Sequence, residues 1–112
     1  MPDTRIWAFV DVRDVAEAHV RAYEARQAAG QRYSVAAGNF SYQQACDIIR
    51  KHFPELRDKT PKGNAGEALP PVYRMDSSKA ETELGMTFRG LEETIVDSVK
   101  SSVALERGSA NP

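Results

Sequence analysis

The sequence predicts an α/β chain, mostly helical, with about four helices and two or three short strands. Three observations lead there. An apolar run from Ile6 to Val10 stops at Asp11 and passes directly into residues at helical spacing. Ser41 and Gln44 form a capping-box pattern ahead of a second periodic stretch, and Leu91, Ile95, Val96, Val99 and Val103 trace a third stripe near the end.

Ile6, Ala8 and Val10 alternate with Trp7 and Phe9, so both sides of the first strand are apolar and call for cover on both faces. From Val12 onward, Val12, Val15, Ala16, His19, Val20 and Tyr23 fall on one helical stripe, with Arg13, Glu17, Arg21 and Glu24 opposite. Asp11 or Asp14 suits the helix start, and Gly30 suits its stop. A short strand follows over 32–37, with Tyr33, Val35 and Ala37 on one face and Gly38-Asn39 closing it. In the second helix Tyr42, Ala45, Cys46, Ile49 and Phe53 form a stripe that ends before Pro54.

Residues 54–71, with Pro61, Pro70, Pro71, Gly63 and Gly66, read as a long solvated loop. Val72–Met75 reads as a brief strand. Asp76 or Ser77 then caps a short helix through Lys79, Ala80, Glu83 and Leu84 that stops at Gly85. Gly90 serves as N-cap of the last helix, Glu92 and Glu93 favour its first turn, and Asp97, Lys100 and Glu106 lie on its wet side. The expected lengths are roughly 17, 12, 7 and 15 residues. Residues 1–106 form the folded unit, and 107–112 are expected to be a disordered tail.

The 112 residues carry 15 basic and 16 acidic side chains, a net charge of -1, so no basic field attracts nucleic acid or anionic lipid. Cys46 is the single cysteine, and the sequence shows neither a secretory leader nor an apolar run long enough to span a bilayer. No membrane, nucleic-acid or metal partner is expected, and the expected location is cytoplasmic.

The chemistry-bearing residues read as structural. His19 lies on an apolar face without a second ligand at helical spacing, and reads as a core histidine satisfied by a hydrogen bond. Cys46 sits inside a stripe, and its interval to His52 matches no metal spacing. Ser77-Ser78-Lys79 lacks the serine at 76 that a Ser-x-x-Lys pair requires. Gly63 and Gly66 have the first interval of a dinucleotide-binding turn, but Leu69 replaces the third glycine and no strand leads in. No catalytic, cofactor-binding or metal residue is assigned, and substrate-binding residues are left open.

Phe9 to His19, Phe-Val-Asp-Val-Arg-Asp-Val-Ala-Glu-Ala-His, resembles a segment late in the extended short-chain dehydrogenases/reductases of the NAD-dependent epimerase/dehydratase superfamily. Gly30-Gln31-Arg32-Tyr33, Asp76-Ser77-Ser78-Lys79 and Phe88 to Thr94 agree in order and spacing. The resemblance is nearest to fungal NADPH-dependent aldehyde and ketone reductases that are similar to dihydroflavonol and cinnamoyl-CoA reductases. It implies the C-terminal part of a Rossmann-type reductase without the dinucleotide-binding half. It also implies an NADPH cofactor for the intact enzyme but none for this chain, because the family's glycine-rich turn lies upstream of this segment; the family's catalytic Tyr-x-x-x-Lys pair is absent too, since Gln27, Ala37, Cys46 and Ser77 follow the four tyrosines at that interval.

The expected function is therefore a C-terminal piece of an NADPH-dependent carbonyl reductase, inactive alone. The alternative is a non-enzymatic interaction or regulatory module that self-associates or binds a full-length relative. The doubly apolar first strand and the unpaired second strand leave apolar faces exposed, so a homo-oligomer is expected.

Overall fold

The structure, a computed structural model, describes residues 3–110, and of the last two only the backbone. Strand β1 (Ala8–Phe9) leads to helix α1 (Val12–Glu24), strand β2 (Gly38–Asn39), helix α2 (Tyr42–His52), helix α3 (Ser78–Glu83) and helix α4 (Leu91–Ala110). Single 3-10 segments occupy Arg26–Ala28 and Pro54–Lys59. β1 and β2 pair antiparallel, Ala8 opposite Asn39 and Phe9 opposite Gly38. The mostly helical α/β class agrees with the sequence.

Several boundaries differ, each for a local reason. The first helix ends at Glu24 rather than near Gly30, because Ala25 turns extended and the following 3-10 turn brings Ala28 into the cluster that holds Ala18. Residues 32–37 form no strand, although the Ala37 amide donates to the Phe9 carbonyl at the edge of the ladder (2.8 Å). Ala36 instead donates its amide to Ser77 Oγ (2.8 Å), and the Ser77 hydroxyl donates to the Ala36 carbonyl (2.9 Å). Pairing falls on the two residues that the sequence suggested would only close that strand. Val72–Met75 also joins no ladder; Tyr73 is tied in by its carbonyl, which accepts from Asn39 Nδ2 (2.7 Å), and by its hydroxyl, which accepts from the Trp7 amide (3.1 Å).

The expected loop over 54–71 begins with the 3-10 turn, held where Arg50 Nη1 donates to the carbonyls of Arg57 and Thr60. Helix α4 continues through Ala110, past the point where a frayed tail was expected from 107, and 111–112 lie outside the described residues.

Ala18, Ala28, Ala80, Leu84 and Met86 form a small core, with Tyr33, Val35 and Phe88 packed around it. The α1 stripe expected to be buried faces outward instead. Val12 is 78% exposed, Val20 55% and Tyr23 92%, while Asp14 and Ala18 turn inward; Ile6, ahead of β1, is 67% exposed. His19 is exposed as well, although its Nδ1 donates to the Val15 carbonyl (2.8 Å), so only the hydrogen-bonded half of that reading holds.

The molecule is a slab. Its extents are 49 × 43 × 19 Å, and the short axis admits about two helix diameters. The radius of gyration is 16.7 Å, against about 13 Å for a compact domain of this length. The surface is 7968 Å², against roughly 6,100 Å² for a compact monomer of this size.

Candidate functional site

Two places concentrate polar side chains. The first is a junction between the starts of α1 and α4. Asp11 caps α1 by accepting from the Arg13 amide (2.9 Å), and takes the Arg13 guanidinium through Nε (2.9 Å) and Nη2 (2.7 Å). Thr94 Oγ1 donates to the same carboxylate at 3.0 Å, which ties α4 to the cap. The Arg13 guanidinium holds the Asp11 carboxyl well below the usual carboxylate range, against the opposing effect of burial. Asp14, one turn on, accepts from the Arg89 amide (2.8 Å) and from its guanidinium. Both carboxylates are fully engaged by donors, so neither is free to move a proton to a substrate. The junction is a clamp.

The second place is a cleft of roughly 410 Å³ between the chain entering β1, the start of α2 and the loop around 63–70. That volume lies within the range of small-molecule sites. Its back wall is built by the capping box at α2. Ser41 Oγ accepts from the Gln44 amide (3.1 Å), and Gln44 Oε1 accepts from the Ser41 amide (3.3 Å). The Tyr42 amide, also free at a helix start, donates to Thr4 Oγ1 (2.9 Å), which fixes the entering chain against α2.

Gln43 fixes the opposite wall. It is buried, and its Nε2 donates to the Lys62 carbonyl and to Asp47 Oδ1 (both 2.8 Å), while its Oε1 accepts from the Asn64 amide (2.9 Å). Asp47 Oδ2 accepts from the Gly66 amide at 3.0 Å. Trp7 adds an aromatic wall. Neither Gln43 nor Asp47 stood out in the sequence, because a buried glutamine off the apolar stripe has the same pattern as an exposed one.

These bonds bear on the dinucleotide question. Gly63 and Gly66 have the positive φ of a turn, 51° and 79°. Two amides of that turn, those of Asn64 and Gly66, are already donated, however, and one acceptor is the carboxylate of Asp47. An amide pair spent in this way, with a carboxylate beside it, does not suit that turn to a pyrophosphate. Elsewhere, Ser77 is spent on Ala36, Asp76 Oδ1 accepts from the Ser78 amide (2.9 Å) at the start of α3, and Lys79 Nζ donates to Gln31 Oε1 (2.8 Å) and the Arg32 carbonyl (3.1 Å). Burial, with Asp47 next to it, pushes the Cys46 thiol up, as suits an unreactive thiol. Among the described residues no group of three or more potential ligands gathers to hold a metal, and no helix is long and apolar enough to cross a membrane.

Comparison with known proteins places this architecture. No family model matches the chain. It is 43% identical over 96 residues to the ketoreductase azaE of Aspergillus niger, covering 85% of this chain and 28% of that protein. It is 36% identical over 101 residues to the NADPH-dependent methylglyoxal reductase GRE2 of Saccharomyces cerevisiae, covering 88% of this chain and 30% of the relative. The crystal structure of the yeast methylglyoxal/isovaleraldehyde reductase Gre2 with NADPH superposes with a TM-score of 0.81 at 34% identity, over 95% of this chain and 35% of that one.

The chain belongs to the extended short-chain dehydrogenases/reductases, and it corresponds to the C-terminal portion of the fungal NADPH-dependent reductases. It spans under a third of the length of the curated relatives it matches.

Proposed function

We propose that this chain is the C-terminal, substrate-side portion of an NADPH-dependent carbonyl reductase acting on aldehydes or ketones in the cytoplasm. The 112 residues alone neither bind the cofactor nor turn over substrate. The observation that carries this reading is the 0.81 TM-score over 95% of the chain against a reductase complexed with NADPH, of which only 35% is matched. In keeping with it, no Tyr-x-x-x-Lys pair occurs in the sequence, and the Asn64 and Gly66 amides of the 63–66 turn are occupied.

The test is a chimera in which residues 3–106 replace the matching portion of the yeast methylglyoxal reductase. NADPH-dependent reduction of methylglyoxal by the chimera is the expected result. A chimera that folds and binds NADPH but reduces no aldehyde or ketone contradicts the reading.

A second reading, a module that self-associates or binds a full-length relative, is favoured by the outward face of α1. Val12, Val20 and Tyr23 share one stripe there, and all three are more than half exposed.

A further inference from the structure

Residues 69–74, Leu-Pro-Pro-Val-Tyr-Arg, carry the pattern Pro-Pro-x-Tyr at Pro70 to Tyr73 on the surface of the molecule. Burial along them repeats every three residues. Leu69 and Val72 are half-buried, while Pro70, Pro71, Tyr73 and Arg74 are exposed, Tyr73 at 53%. Three residues per turn is the period of a polyproline II helix, in which Pro70 and Tyr73 fall on one face and Leu69 and Val72 on another. The residue types agree. Each proline ring presets φ for that helix, and each also confines the residue before it, here Leu69 and Pro70, to the extended region.

The stretch joins no ladder and is loosely held. Among the described residues 68–75 only Tyr73 is hydrogen-bonded, its carbonyl accepting from Asn39 Nδ2 (2.7 Å) and its hydroxyl from the Trp7 amide (3.1 Å). Leu69 and Val72 back onto an open depression of roughly 760 Å³ beside Ala37, Gly38 and Asn39, outside the core cluster.

We propose that Pro70 to Tyr73 is a docking motif for a protein partner whose recognition groove is lined by aromatic side chains, as in WW domains. Two adjacent prolines give an apolar ridge that aromatic rings can clamp, and Tyr73, one turn on along the same face, adds a flat ring with a hydroxyl at its tip. Position 73 is a tyrosine and not the second proline of Pro-x-x-Pro, which sets this partner apart from one with an SH3-type groove. The two prolines also lower the cost of ordering, since the free segment already lacks much of the freedom that binding removes. Docking straightens a single bend at Pro71 and gives the Tyr73 hydroxyl a partner group in place of the Trp7 amide. It does not depend on the reductase activity proposed above.

The experiment is calorimetric titration of the purified 112-residue chain with an isolated WW domain selective for Pro-Pro-x-Tyr, beside a synthetic peptide spanning 67–76. Saturable one-to-one binding by both is expected, severalfold tighter for the peptide, which has no bond to Asn39 or Trp7 to release. Tyr73→Ala and, separately, Pro71→Ala should each weaken binding to the chain by about tenfold or more. Pro71→Ala removes no hydrogen bond, so an unchanged circular dichroism spectrum in that variant assigns its loss to the motif. A peptide that fails to bind overturns the proposal, and so does a folded chain that fails where the peptide binds. Chain binding that neither substitution weakens overturns it as well.

Discussion

Asp14 is a carboxylate with 1% exposure whose partners, the Arg89 amide and guanidinium, lie 75 residues away along the chain. Removing one partner of such a buried pair leaves the other stranded, at a cost of about 3–5 kcal/mol for a fully enclosed pair. The Arg89 side chain is 35% exposed, so water compensates part of the loss. Asp14→Ala should therefore destabilise by about 2 kcal/mol in urea unfolding, and a double-mutant cycle with Arg89→Ala should return a coupling of about 1 kcal/mol or more.

Asp11 gives a pH signature. Its folded-state carboxyl lies below the usual range because of Arg13, so its contribution to stability is present above about pH 4 and is lost progressively as pH falls below that. In Asp11→Asn the unfolding midpoint should be lower near neutral pH and should fall less steeply from about pH 4 downward than in the parent. Parallel acid profiles for the two proteins would contradict this.

At the scale of elements, α2 was the most legible. Its capping box is formed as Ser41 and Gln44 suggest, because both halves of that motif lie within four residues and no distant partner competes. Ser41→Ala should cost about 1 kcal/mol, measured by thermal or urea unfolding. The stop of α3 is equally local. Gly85 takes φ 66°, and a Cβ there would lie 3.2 Å from Arg21 Nη1, the group that donates to the Leu84 carbonyl at 3.0 Å. Gly85→Ala should therefore destabilise by about 1–2 kcal/mol. Arg21→Ala should reduce that penalty by removing the crowded neighbour.

What the sequence did not reveal depends on distance or on missing layers. Ser77 reads as a helix cap, yet its hydroxyl bonds Ala36 across 41 residues, which leaves only the neighbouring Ala37 amide to reach β1, at the Phe9 carbonyl. The α1 stripe was correct as periodicity: Val12, Ala16, Val20 and Tyr23 do share a face. Its burial was not, since amphipathicity records that a face needs cover but not whether the same chain supplies it. In the cleft, Trp7 and Thr4 were visible in sequence only as a strand and its approach. The loop anchors Gln43 and Asp47 had no signal at all, because their backbone partners lie 19 or more residues on.

For the whole molecule, the slab shape and the surface excess of about 1,800 Å² have one origin, a two-layer piece with a side left uncovered. Standard interfaces remove about 800 Å² from each partner, so the exposed area is ample for association. We propose that the 112-residue chain self-associates through the α1 face carrying Val12, Val20 and Tyr23. Light scattering at high micromolar concentration should give a dimer or larger, and Val20→Glu with Tyr23→Glu should shift it toward monomer. A monomeric parent would count directly against this.

The central claim is that the dinucleotide site lies outside these residues, and titration of the purified chain with NADPH tests it most directly. No saturable change in cofactor fluorescence and no heat of binding are expected into the high micromolar range. Saturable micromolar binding by the 112 residues, abolished by substitution at Gly63 or Gly66, would contradict it.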